Sequence, residues 1–143
     1  MLPKISGGFL NLTQKCNLKC KYCFVVQQPL EMDYKTAKAA VDFYAKNALE
    51  NLDIPQVTFF GGEPMLKYDE IIKPLVEYIR STYGDYEVYI TSNGTLFTEE
   101  NLEFLRKNNV GLLLSIDGDR ETQNFNRPFH NDKGSFDSID IDL

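Results

Sequence analysis

The sequence predicts an α/β fold: four parallel strands with covering helices. Two observations carry that prediction. Strand-like segments alternate with segments of helical apolar periodicity four times along the 143 residues. Each unusual Cys-, Gly- or Asn-rich segment also stands directly after one of those strands. Strand–helix alternation implies βαβ units, whose right-handed crossovers build a parallel sheet. A closed eight-fold barrel needs about 250 residues. Residues 1–143 therefore read as one domain, a small open sheet or part of something larger.

The first strand is Phe9–Thr13, which runs into the cysteine segment. From Tyr34 to Leu49, Ala37, Ala40, Val41, Tyr44, Ala45 and Ala48 recur at i, i+3, i+4 spacing, one apolar helix face with Asp33 as its N-cap. Gln56–Phe60 is the second strand, started by Pro55 and stopped by Gly61-Gly62. Ile71, Ile72, Leu75, Val76 and Ile79 form a second helical stripe. Pro74 suits only a first turn, so that helix begins late or is kinked. Tyr86–Ile90 is the third strand, ended by Ser92-Asn93-Gly94. Thr98 caps a third helix that carries Glu99 and Glu100 at its positive end and buries Leu102 and Leu105. Val110–Ile116 is nearly all apolar, as expected of a strand covered on both faces. Beyond Gly118 the chain is polar and turn-rich to Gly134, Ser135-Phe136-Asp137 starts another helix, and Ser138–Leu143 alternates acidic and apolar residues. That ending reads as a chain cut short.

Composition narrows the function classes. With 43% hydrophobic and 25% charged residues the chain is globular rather than disordered. A net charge of −6 with no basic block gives no electrostatic basis for binding nucleic acid or an anionic membrane. No apolar run approaches the ~20 residues of a membrane span, and no secretory leader is visible. The expectation is a soluble, cytoplasmic protein.

The three cysteines, Cys16, Cys20 and Cys23, fall within eight residues. An odd, clustered set without a secretion signal argues for a metal or cofactor rather than a disulfide framework. A structural zinc site takes four ligands, and the only histidine, His130, is over a hundred residues away. A cubane cluster usually takes four cysteines, so three would leave one iron open to a non-protein ligand. An iron–sulfur site, a zinc site and three unliganded thiols are the readings in play. Because ligands bind at the carboxyl ends of strands in parallel α/β folds, the four post-strand segments should converge on one site.

Cys-x-x-x-Cys-x-x-Cys, with Tyr22 before the last Cys and Phe24 after it, resembles the cluster loop of the radical S-adenosylmethionine superfamily. The likeness extends through Gly61-Gly62-Glu63-Pro64, Thr91-Ser92-Asn93-Gly94-Thr95, Ser115-Ile116-Asp117-Gly118 and Gly134-Ser135-Phe136-Asp137. Within the superfamily it is most similar to the peptide- and protein-modifying branch, the anaerobic sulfatase-maturating enzymes and peptide maturases. That likeness implies that residues 1–143 are the N-terminal part of a core domain, a partial (β/α) barrel of four parallel strands with covering helices. The resemblance implies that Cys16, Cys20 and Cys23 ligate a [4Fe-4S] cluster whose open iron binds S-adenosylmethionine. It implies that Gly61, Gly62 and Glu63 hold the methionyl amine, with the glycines allowing close backbone approach. Ser115 and Arg127 match positions holding the methionyl carboxylate and ribose, Tyr22 matches the residue beside the adenine, and Asn93 faces the same cavity. The implied chemistry is electron transfer to the sulfonium, giving a 5′-deoxyadenosyl radical that takes hydrogen from a peptide or protein substrate; a reducing electron donor is also implied.

Two departures stand out. The branch commonly has His-Asp three to four positions before the Arg matching Arg127, where this chain has Gln123 and Asn124. Family members also continue for two more strand–helix units, often with auxiliary clusters that three cysteines cannot ligate. The alternative readings are a truncated, non-catalytic iron–sulfur or zinc domain and one subunit of a split enzyme. A half-barrel should leave Leu10, Phe59, Ile90 and Leu113 or their neighbours on an open inner face, with self-association through the exposed sheet edge. Asn93-Gly94 and Asp117-Gly118 taken alone are hairpin dipeptides, but no returning strand follows either. His130 is given no role.

Overall fold

In the computed structural model, which describes residues 5–139, strands β1 (Gly7–Thr13), β2 (Gln56–Gly61), β3 (Glu87–Ser92) and β4 (Val110–Leu114) form one sheet in sequence order. Every neighbouring pair is parallel. Helix α1 (Tyr34–Asn51) is capped by Asp33, whose carboxylate accepts from the Thr36 amide at 2.7 Å. Helix α3 (Glu99–Lys107) starts at a capping box between Thr98 and Asn101. Before α2 (Lys73–Thr82) lies a 3-10 turn (Pro64–Lys67) and a π-helical turn (Tyr68–Ile72). Pro74 falls in the first turn of α2, directly after the π-helical turn, so the α-helix proper begins late, one of the two outcomes expected from sequence.

The core lies between the sheet and the helices. Leu10, Phe59 and Ile90 are in register across β1, β2 and β3 and pack with Val41, Ala45, Ile72, Leu75, Val76 and Ile79. This corrects the inner-face expectation for those three residues, because all of them point to the helices. The opposite face carries Phe9, Phe60, Tyr89 and Leu113, with Phe9 68% and Leu113 64% exposed. Side chains alternate along a strand, so an error of one residue exchanges the whole set of faces. Both rows carry large apolar side chains, so Phe59 and Phe60 read alike, although Asn11, Thr58 and Thr91 fall only on the open row. The expectation that β4 is covered on both faces fails because one face of the sheet is open: β4 is the edge strand, and Leu113 on that face is exposed.

Residues 120–126 form a fourth helix, α4 (Arg120–Asn126), where the sequence reads as polar turns. Asp119 caps it through the Thr122 amide at 2.8 Å. Gln123 alone in this helix is buried, so no apolar stripe marks it. The helix expected to start at Ser135 is a short 3-10 turn, Phe136–Ser138. Asp140–Leu143, most of the acidic alternation, lies outside the described residues. Among the described residues, no helix is long and apolar enough to cross a membrane.

Candidate cofactor site

At the carboxyl ends of the strands the four post-strand segments line one cavity of about 160 Å³. Its wall includes Cys16, Cys20, Tyr22, Cys23, Gly61, Gly62, Glu63, Asn93, Ser115 and Arg127, so every residue singled out from the sequence is there. Leu18, Phe24, Phe60 and Ser92, which the motifs do not single out as site residues, complete much of it. A roomier depression of about 530 Å³ lies at the amino ends of the strands, lined by Ser6, Asp53, Gln56 and Glu87 among others. It contains none of the motifs.

The glycine pair shapes the floor. Gly61 has φ +147°, and a Cβ there would run into the Thr13 carbonyl. A Cβ on Gly62 would run into the Lys15 carbonyl. The Gly62 and Glu63 amides donate to the Thr13 and Lys15 carbonyls at 2.7 and 2.9 Å. The close approach these glycines permit is therefore to the chain's own backbone where it enters the cysteine loop.

Glu63 is 1% exposed. Its Oε1 accepts from the Met65 amide at 3.0 Å and the Ser92 hydroxyl at 2.8 Å, and its Oε2 from the Asn93 amide at 2.8 Å. Burial nevertheless dominates and holds its carboxyl above the usual glutamate range, against the pull of those three donors.

The three cysteines are free of disulfides. Cys16 Sγ accepts from the Leu18 amide at 3.4 Å and from Asn93 Nδ2 at 3.8 Å, and Arg127 Nη1 lies 3.9 Å from Cys20 Sγ. Donors directed at sulfur suit thiolates. Burial pushes the Cys16 thiol up to about 11, with the Leu18 amide opposing and the Glu63 charge adding to the rise. Cys20 is raised by burial, against the pull of Arg127. Among the described residues no group of three His, Cys, Asp or Glu is placed to hold a metal ion by itself.

Asp117 organises the far wall, a role its place in the Ser115–Gly118 segment could have signalled. It accepts from the Tyr22 hydroxyl and from Arg127 Nε at 2.9 Å, and the Arg127 guanidinium lies 5.2 Å from the Tyr22 ring centroid. Burial would raise the Asp117 carboxyl, but Tyr22 and Arg127 outweigh it and hold it below the usual range. Gln123, fully buried, accepts the Asp117 amide at 2.9 Å and donates to the Ser135 hydroxyl at 3.1 Å. Asn124 accepts the Phe136 amide at 2.9 Å and lies against Gly134. Both residues at the departure from the family pattern are thus internal struts. His130 was also missed: its Nε2 is 3.0 Å from the Cys16 carbonyl. A lone histidine in a polar loop gives no sequence signal of such a contact.

The sequence matches the radical SAM superfamily over residues 10–140. It is 33% identical to a cysteine-type anaerobic sulfatase-maturating enzyme of Clostridium perfringens over 134 residues, 88% of this chain and 36% of that enzyme. It is also 33% identical to Fe-coproporphyrin III synthase of Methanosarcina barkeri over 135 residues, 90% of this chain and 30% of that one. The solved structure of native anSMEcpe with bound AdoMet and Cp18Cys peptide matches with TM-score 0.82 and 28% identity, covering 93% of this chain and 37% of that one. The chain spans less than half the length of the relatives it matches.

Proposed function

The chain belongs to the radical SAM superfamily, whose members are enzymes, and on that premise we propose that its cavity takes a [4Fe-4S] cluster on Cys16, Cys20 and Cys23 together with S-adenosylmethionine. In this reading the chain forms the cofactor half of an enzyme that modifies a peptide or protein side chain. The observation that carries it is the meeting of three thiols, a buried carboxylate and a guanidinium in one strand-end cavity.

When bound, the cluster and cofactor supply one-electron reductive cleavage of a carbon–sulfur bond. The chain's own residues bind, orient and exclude water. Glu63 Oε2, with Asn93 as its one protein donor, keeps acceptor capacity for the methionyl ammonium. Arg127, steadied by Asp117 through Nε, offers its remaining N–H groups to the methionyl carboxylate, with Ser115 on the same wall. Tyr22 presents a ring for the adenine, and Gly61 and Gly62 let β2 close against the cysteine loop. The Cp18Cys peptide bound by the neighbouring structure supports a peptide as substrate class. Equal identity to Fe-coproporphyrin III synthase makes a tetrapyrrole the substrate to test beside it. A reducing electron donor is the further partner, and the open sheet face and edge provide a surface for self-association.

Anaerobic reconstitution with iron and sulfide, followed by electron paramagnetic resonance with and without S-adenosylmethionine, tests the reading. The expected result is about four irons per chain and a signal that changes when the cofactor is added. Alanine at Cys16, Cys20 or Cys23 should abolish the cluster. Stoichiometric zinc with no iron uptake would overturn it.

A further inference from the structure

The cysteine loop does not hold itself in place. The Lys19 amide donates to the Pro128 carbonyl at 2.9 Å, and the Lys21 amide donates to the Asn126 carbonyl at 2.9 Å. One residue further out, Leu18 and Phe129 form an antiparallel bridge. Residues 126–129 thus lie along residues 18–21 as a short added strand would, and Leu18 is fully buried beneath them. Side chains reinforce the pairing. Lys19 Nζ pairs with Asp132 at 2.6 Å, Lys21 Nζ stands over the Phe125 ring at 2.9 Å, and His130 meets the Cys16 carbonyl. A carbonyl can only accept, so His130 Nε2 carries the proton and donates.

The segment has its own anchors. The Phe129 amide donates to the Lys133 carbonyl and the Asp132 amide to the Phe129 carbonyl, closing its far end into a turn. Beyond the turn, Gly134 lies so close under Asn124 that any side chain at 134 would displace it.

We propose that residues 126–132 form a strap that is the second half of the cysteine-loop site: the strap fixes the positions of Cys16 and Cys20, and His130 acts as a positioning residue on Cys16. This rests on the reading of the loop as a cluster-binding loop. Within the loop, one backbone bond closes a turn, from the Cys23 amide to the Cys20 carbonyl; the strap supplies the bonds at Lys19 and Lys21. Arg127 sits between the two pairing carbonyls, so the same backbone that clamps the loop also delivers the guanidinium to Cys20 and Asp117. Thiol positions and cofactor-facing cation are therefore set by one segment.

Two measurements test this. In the iron-free protein, hydrogen exchange at the Lys19 and Lys21 amides should be on the order of tenfold slower than at the neighbouring exposed loop residue Val26. In Gly134→Val, whose side chain would displace that of Asn124 just ahead of the strap, both should lose that protection while the Phe59 and Ile90 amides keep theirs. Wild-type Lys19 and Lys21 exchanging as fast as Val26 would overturn the strap, whatever the metal content. In the reconstituted protein, His130→Ala should lose iron to a chelator severalfold faster than wild type at an unchanged melting temperature, and His130→Gln, which still donates, should restore retention. Wild-type iron retention in His130→Ala overturns the assignment of His130. A wild type that loads no iron refutes the cluster reading instead, and leaves the exchange experiment to decide the strap.

Discussion

The Tyr22 hydroxyl donates to both oxygens of the Asp117 carboxylate, at 2.7 and 2.5 Å, across 95 residues of sequence. This contact joins the cysteine loop to the end of β4, and Arg127 completes it from the strap. The cavity is therefore closed by a hydroxyl, a carboxylate and a guanidinium drawn from three different segments.

Asp117→Ala should release both Tyr22 and Arg127. With 16% of the Asp117 side chain open to solvent, the loss of stability should be about 1–2 kcal/mol rather than that of a fully buried pair. The carboxyl is held below its usual range, so its contribution is complete at neutral pH and is lost as pH falls through that lowered value, below about 4. Denaturant melts at pH 7 and at a series of pH values below about 4 check this: the gap between wild type and Asp117→Ala should be full at the first and narrow steadily as pH falls.

Glu63 should behave with the opposite sign. Burial raises its carboxyl, so the folded state takes up a proton before the unfolded chain does. Its ionisation opposes folding at neutral pH, and that opposition is relieved as pH falls through the raised value. Glu63→Ala leaves the buried Met65, Ser92 and Asn93 donors unmatched, each costing about 1–3 kcal/mol. A melt of this variant should show a loss of stability as well as weaker S-adenosylmethionine binding.

Arg127→Ala should weaken S-adenosylmethionine binding by roughly 1–3 kcal/mol, the range for a lost hydrogen bond to a charged group. The cluster should survive. Calorimetry on the reconstituted protein measures the first, and its iron content the second. Unchanged affinity would mean that Arg127 serves Asp117 and Cys20 but does not meet the cofactor.

Iron loading should strengthen as pH rises from 7 toward 9. Burial pushes the Cys16 thiol up to about 11, so loading must expel a proton that is firmly held at neutral pH. Iron uptake followed in buffers of increasing pH tests this. Uptake that is flat with pH would count against a raised Cys16 thiol being a ligand.

The two sheet faces give opposite expectations for residues that look alike in sequence. Phe59→Ala should cost about 3–5 kcal/mol, whereas Leu113→Lys, at a side chain 64% exposed, should leave the melt nearly unchanged. By charging the open face, Leu113→Lys should also suppress self-association. Sedimentation of wild type against this variant measures that. A wild type that stays monomeric at high concentration would count against association through this face.

Much of the architecture is legible in the residues alone. Apolar spacing marks α1, α2 and α3, Asp33 and Thr98 mark two helix starts, and strand–helix alternation requires a parallel sheet. The strand-end segments could be predicted to meet, because parallel βαβ topology sends every strand's carboxyl end to the same side. Other features arise only when distant segments pack. Phe59 and Phe60 are adjacent and equally apolar, and the helices' choice of one face made the first core and the second cavity wall. Gln123, Asn124 and His130 are short polar residues with no periodic pattern around them, and each finds its partner across a loop that sequence cannot place. Local propensity and binary pattern act within a dozen residues and so are written in the sequence. The Tyr22–Asp117–Arg127 contact and the strap on the cysteine loop depend on where three separate chain segments come to rest, and tertiary packing alone decides that.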